Sequence, residues 1–217
     1  MASTHELRPF WAKWYSMTMT IQQLHKKSLS YIKSLGINKT AVRVGLEAIL
    51  GGLAICLGTI ASRYCPYPIL SPLLFALGIF AVMAFDLKLI TRHVPTSPKL
   101  RFFETVAVLA INLLVAELAG VFSPYTVSPP EHLFALSIAG GVVIGLVSLN
   151  NLYKSPYQLA LATMLMYMFV MCGLPHCVVY AFYNVDFPTL LIVIAGNLLG
   201  GLVLRFSFEV LDKLRKK

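Results

Sequence analysis

The chain has 217 residues, 58% of them hydrophobic and only 12% charged, with a mean hydropathy of +0.75. A soluble domain carries about 25% charge, so this composition excludes one and defines an all-α integral membrane protein. The net charge of +9 is not a nucleic-acid signature either, because the cations that create it are segregated around apolar spans.

Residues 1–40 are polar and basic and lack an early apolar core, so no cleaved leader is expected. Phe10, Trp14, Met17, Ile21, Leu24, Tyr31 and Leu35 recur at helical spacing, with Lys26, Lys27 and Lys33 largely off that face. This reads as a helix lying in the cytoplasmic membrane interface and touching lipid. Asn38 or Thr40 is placed to cap the first span.

Six apolar segments come next, at about 41–63, 69–89, 102–122, 133–149, 158–182 and 189–205. Roughly 20 apolar residues suffice to cross a bilayer, so these are six spans. With the N-terminus inside, every Lys and Arg except Arg63 and Lys88 falls on the cytoplasmic side. The expected topology is a multi-pass protein of the cell (inner) membrane with both termini cytoplasmic. The domains expected are an interfacial segment 1–40, a six-helix unit 41–205 and a basic tail 206–217. Pro95 and Pro98 are expected to bound the loop after the second span.

The first span contains Gly51-Gly52-Leu53-Ala54-Ile55-Cys56-Leu57, and the fourth contains Gly140-Gly141-Val142-Val143-Ile144-Gly145-Leu146, offset by 89. The third contains Asn112-Leu113-Leu114 and the sixth Asn197-Leu198-Leu199, offset by 85. Two matches at nearly one offset indicate an internal repeat of three helices. Three is odd, so the second copy is inverted in the membrane, an arrangement that puts a site at the repeat interface.

The fifth span carries the feature around which the rest is organised: Met171-Cys172-Gly173-Leu174-Pro175-His176-Cys177. Gly173 and Pro175 lie well inside an apolar run, and proline removes a backbone donor, so the helix should break near mid-membrane. Broken backbone is tolerated there only where protein or a watery cavity covers it. His176 is the titratable group beside the break, which is how transporters of small solutes build a site. By the repeat, the second span should break as well, at Ala84-Phe85-Asp86-Leu87-Lys88-Leu89. The plainer alternative is an unbroken second helix with Lys88 reaching back to the interface. The four cysteines form no framework, and Cys172-x-x-x-His176-Cys177 reads as packing rather than a metal site, so no cofactor or metal is expected. Cys177 and His176 are sequence neighbours, which rarely point together as nucleophile and base, so no enzyme is expected.

These residues resemble the formate/nitrite transporter family. Gly173-Leu174-Pro175-His176-Cys177 is similar to that family's Gly-Phe-Glu-His-Ser at the break in its fifth helix. Ile194-Ala195-Gly196-Asn197-Leu198-Leu199-Gly200-Gly201 resembles its Gly-Asn-x-x-Gly-Gly, and Leu74-Phe75-Ala76-Leu77-Gly78-Ile79 its Phe-Pro-Leu-Gly-Leu. Asp86-Leu87 stands where the family has an acidic residue and leucine opening a loop in helix two, and Asn112-Leu113 matches its third-helix Asn-Leu. The resemblance implies an aquaporin-like bundle of six helices in two inverted three-helix repeats with helices two and five broken. It further implies a homopentamer with one pore per protomer, passing small monovalent anions such as formate or nitrite together with a proton. The pore and substrate residues implied are His176, Lys88, Leu87, Asp86, Thr91, Leu89, Gly173, Leu174, Asn112 and Asn197. In the implied mechanism, apolar constrictions reject bare ions, and the central histidine lets the anion cross as its neutral acid.

The chain departs from the family's pattern in places. Pro175 replaces its glutamate, Cys177 its serine and Tyr180 its later asparagine. Its loop threonine, which bonds the histidine, is absent from Leu87-Lys88-Leu89, and Thr91 reaches that role only with a shift of register. The alternative reading is therefore a transport-inactive relative that serves as a membrane scaffold or regulatory protein.

Overall fold

A computed structural model describes residues 38–97, 100–121, 123, 126–149 and 156–216. The interfacial helix expected over residues 1–37 lies outside the described residues. The chain divides into two units, Met1–Arg43 and Val44–Lys217. Among the described residues all regular structure is helical: α1 Lys39–Tyr64, α2 Leu70–Ala84, α3 Ile90–Thr96, α4 Phe102–Gly120, α5 Leu133–Leu149, α6 Pro156–Met171, α7 Cys177–Phe182 and α8 Phe187–Arg215. Three of these, α1, α4 and α8, are each long and apolar enough to cross a bilayer, while α2, α5 and most of α6 are shorter apolar helices.

Capping explains the ends. Asn38 Oδ1 accepts from the Thr40 and Ala41 N–H groups at 3.0 and 3.4 Å, which fixes the start of α1. Asp186 Oδ2 accepts from Thr189 N–H at 3.0 Å and starts α8. The Thr189 N–H, and then its hydroxyl, hold the Asp186 carboxyl below the usual carboxylate range. A depressed carboxylate stabilises the fold above its unfolded pKa, and that contribution is lost as pH falls through the folded value. Asp186→Ala should therefore melt below wild type at neutral pH, and the gap in Tm should shrink as pH drops below about 4. A gap that stays constant down to pH 3 would remove the cap from the account.

The second span is interrupted. Helix α2 ends with Asp86 at φ 52°, Leu87 N–H donating to Val82 O at 2.8 Å and Asp86 N–H to Met83 O at 3.3 Å. Helix α6 ends in the same way, with Gly173 at φ 61°, Leu174 N–H to Phe169 O and Gly173 N–H to Val170 O, both at 3.0 Å. Both are Schellman terminations, which need a left-handed residue after the helix. Glycine supplies it freely in α6. Aspartate, one of the few side chains that tolerates the conformation, supplies it in α2. Three non-helical residues follow each stop before α3 and α7 begin. Pro95 lies buried inside the last turn of α3, not at the start of a loop as its identity predicts. Its ring already has a helical φ, so it fits where the helix is about to end.

The sixth apolar segment ends near residue 205, and its helix runs on to Arg215 through the polar stretch that reads as a helix end. No glycine or proline interrupts 205–215, and the i,i+4 pairs Arg205–Glu209 (2.9 Å) and Asp212–Lys216 (2.7 Å) support it. The basic tail is thus the end of α8. Within Val44–Lys217, α5 packs along α8, and α2 packs on α6. The half-helices cross over: α3 lies against α5 and α8, while α7 lies against α4 and α8. Arg205 Nη1 donates to Ser97 O at 2.8 Å and Val94 O at 3.3 Å, so α3 runs from the middle toward the end where α8 finishes, the tail end. Helix α7 runs the opposite way, and Gly120 at the close of α4 abuts the Phe182 carbonyl.

Candidate functional site

The two half-helices begin facing one another, and the same three hydrogen bonds hold each start. Asn112 Oδ1 accepts from Ile90 N–H at 2.8 Å, and its Nδ2 donates to Ala48 O at 2.7 Å and Lys88 O at 3.2 Å. Asn197 Oδ1 accepts from Cys177 N–H at 2.8 Å, and its Nδ2 donates to Ser137 O at 2.7 Å and Pro175 O at 3.0 Å. An asparagine amide offers one acceptor and two donors, which is what a broken strand of backbone between two helices lacks. The paired glycines belong to the same device. A Cβ on Gly51 would strike the Lys88 carbonyl, and one on Gly140 the Pro175 carbonyl, so only glycine lets α1 and α5 approach the breaks.

Leu89 and His176 are the residues that precede the half-helices, both extended, at φ −117°, ψ 131° and φ −122°, ψ 125°. His176 is buried and caps its own helix: Val178 N–H donates to Nδ1 at 3.2 Å. With Nδ1 accepting, a singly protonated ring carries its proton on Nε2. That atom lies 3.1 Å from Thr91 Oγ1, on the first turn of α3 and equally buried. The shift of register that the sequence demands is thus what the structure has, and it brings Thr91 and His176 together across 85 residues. Both ring nitrogens are occupied, so a second proton on the ring requires release of the Val178 bond.

A cavity of about 560 Å³ opens from His176 toward the loop end, away from the tail. Its lining includes Gly173, Leu174, Phe75, Phe169, Tyr180 and Arg63. Phe75 and Phe169 stack with centroids 6.0 Å apart, and Phe169 meets the His176 ring edge-on at 6.3 Å. Arg63 sits over the Tyr183 ring, 5.7 Å from its centroid. Toward the tail end, a cavity of about 220 Å³ is lined by Asp86, Leu87, Lys88, Leu89, Arg92, His93, Thr96 and Ser97. Leu87 and Leu89 are buried apolar residues of that lining. Lys88 Nζ pairs with Glu104 Oε1 on α4 at 3.6 Å. Arg92 pairs with Asp86 at 2.6 Å, and Ser97 Oγ lies 2.9 Å from His93 Nδ1.

The structure divides the sequence-predicted residues between two cavities and the braces behind them, and Thr91, bonded to His176, lines neither cavity. Gly173, Leu174 and His176 face the larger cavity, Asp86–Leu89 the smaller. Asn112 and Asn197 brace the breaks from behind without lining either cavity. Sequence reasoning missed Phe169, Arg92, His93 and the pairing role of Glu104. A loop has no period, so nothing in the sequence ties Asp86 to Arg92 or Lys88 to Glu104.

No protein-family model matches this chain, and no curated protein matches it. Its fold does match a solved structure, a pentameric formate channel with formate bound, at a TM-score of 0.59 and 18% sequence identity. The match covers 81% of this chain and 98% of that one. At this identity the likeness establishes the fold: a helical membrane protein built as that channel is built.

Proposed function

We propose that the chain is a channel for small monovalent anions such as formate or nitrite, with passage linked to protons through His176. The observation that carries this reading is the buried Thr91–His176 hydrogen bond at the meeting of two half-helices, with a cavity on either side. In the same reading α2–α3 and α6–α7 are broken spans, and the six spans form two inverted repeats. The matched geometry of Asp86 with Gly173, Leu89 with His176 and Asn112 with Asn197 supports this. Five copies assemble, each with its own pore, in the cell membrane with both termini cytoplasmic, as the distribution of Lys and Arg supports.

The chemistry follows from desolvation. A bare anion beside the stacked Phe75 and Phe169 rings loses its water without a counter-charge from them, which is prohibitive. An anion that reaches Thr91 accepts its hydroxyl proton as a hydrogen bond. Its charge offsets the cost of a second ring proton on Nδ1, taken as the Val178 bond opens. The Nε2 proton then passes to Thr91 as the Thr91 proton passes to the anion, and the neutral acid crosses. The ring resets by losing the Nδ1 proton to water and regaining one on Nε2.

Formate flux into liposomes carrying the purified protein tests this. Acidifying the formate side from about pH 7.5 to about pH 5.5, the range in which a histidine ordinarily changes charge, should accelerate uptake well beyond that of protein-free liposomes. An intact pentamer with no flux at any pH would favour the scaffold reading instead, which the Lys88–Glu104 and Asp86–Arg92 ion pairs support by engaging the charges at the smaller cavity. Lys88 gives a further check. Lys88→Met leaves the Glu104 carboxylate unpaired at the smaller cavity, so anion flux should fall several-fold, a modest effect because the pair is partly exposed. Adding Glu104→Gln should restore it. A double variant as slow as the single one would mean that Lys88 acts on the anion directly.

A further inference from the structure

Arg92 is held in place on two sides. Its side chain is 20% exposed, Nη1 donates to Leu87 O at 3.0 Å, and Nη2 donates to Asp86 Oδ1 at 2.6 Å. Its third donor is different: Nε is buried and has no hydrogen-bond partner among the described residues. The Nε–H and one Nη2–H point the same way along one edge of the planar guanidinium. That edge is the two-donor fork to which a carboxylate normally presents both of its oxygens. Asp86 bonds Nη2 and leaves Nε–H unserved. Asp86 is also the exposed partner, 75% accessible, so its carboxylate can be released to water while Arg92 stays fixed.

Arg92 lines the 220 Å³ cavity together with Lys88, His93 and Ser97, while its Nε is covered, so an incoming anion reaches that edge as the Asp86 carboxylate leaves. At roughly 30 Å³ for a water-sized group, this space holds an anion of three or four heavy atoms with some water. We propose that the Arg92 edge is a staging site for planar two-oxygen anions, a small carboxylate or nitrite, and that the anion displaces the Asp86 carboxylate to take both Nε–H and Nη2–H. The site rests on the reading of the chain as an anion channel and narrows its substrate class. A single-centre anion such as chloride or hydrosulfide bifurcates between the two donors and gains less. The exchange replaces one negative charge by another, so the site fills without becoming a trap, as conduction requires.

The test is binding of ¹³C-formate and of chloride to the full chain in nanodiscs, read by NMR titration, alongside flux in liposomes. Asp86→Asn removes the competing charge and keeps a residue that accepts the left-handed backbone. It should tighten formate binding several-fold. Arg92→Lys keeps the charge and loses the fork. It should weaken formate binding about tenfold, the size expected for one lost charge-assisted bond, and leave chloride little changed. Unaltered formate affinity in Asp86→Asn, or equal losses for formate and chloride in Arg92→Lys, would overturn the proposal. Arg92-dependent binding without any flux would keep the site and sink the channel reading. Flux with binding indifferent to Arg92 would do the reverse.

Discussion

His176→Asn is expected to leave the protein assembled and to abolish the acceleration of formate flux by acid. Asparagine is a preferred helix N-cap, so its Oδ1 can accept from Val178 N–H and α7 still starts where it does. What it cannot do is carry a proton near neutral pH. The anion must then cross as an ion. A charge at mid-membrane costs about 3 kcal/mol even on lenient scales, so flux at acid pH should drop by roughly two orders of magnitude. Thr91→Val, which keeps the shape and removes the hydroxyl, should lose the same acid-stimulated flux with the histidine intact, because the relay from Nε2 has no bridge. Should either variant carry formate with the wild-type pH dependence, His176 is a brace between half-helices and the proton comes from bulk water.

The parts of the fold that were legible in the sequence are those that chemistry leaves no choice about. The break at Gly173 shows because glycine and proline are strong local signals, and the correspondence of Asn112 with Asn197 shows through a shared offset inside apolar helices, although the sequence reads both as pore residues and not as the braces they are. The second break is harder. Asp86 takes the place of Gly173 without being a glycine, and the repeat, the Asp86–Lys88 charges in an apolar setting and the family resemblance pointed to it. Residues of the site were legible on both sides, His176 at one break and Asp86–Leu89 at the other. Thr91, the partner of His176, stands further along the chain than the family resemblance implies. The non-helical residues 87–89 have no helical or strand period from which to count. The ion pairs at the tail-end cavity were illegible for the same reason, since Lys88–Glu104 and Asp86–Arg92 are tertiary contacts of a loop. Pro95 misled because proline is read as a stop, whereas near the end of a short helix its fixed φ is compatible with one more turn.

That asymmetry in legibility makes the asparagines the sharpest test of the fold itself. Asn112→Leu and Asn197→Leu keep the branched outline and remove three hydrogen bonds each. Two magnitudes compete. Side-chain hydrogen bonds between membrane helices average about 0.6 kcal/mol, because other partners are usually at hand; three would sum to roughly 2 kcal/mol. The groups served here are different. Ile90 N–H, Cys177 N–H and the Lys88 and Pro175 carbonyls are main-chain groups at a helix break, and an orphaned buried group costs about 1–3 kcal/mol. The larger figure should govern, giving a loss of about 2–6 kcal/mol per variant, seen as a lower Tm and poor recovery of folded protein in detergent. The two variants should suffer alike, since the two amides serve matching groups. A mild loss in both would mean that water or neighbouring helices satisfy the breaks. A severe loss in Asn197→Leu with a neutral Asn112→Leu would mean that the first break is held by its ion pairs, Asp86–Arg92 and Lys88–Glu104, and that the two halves share a shape without sharing its cause.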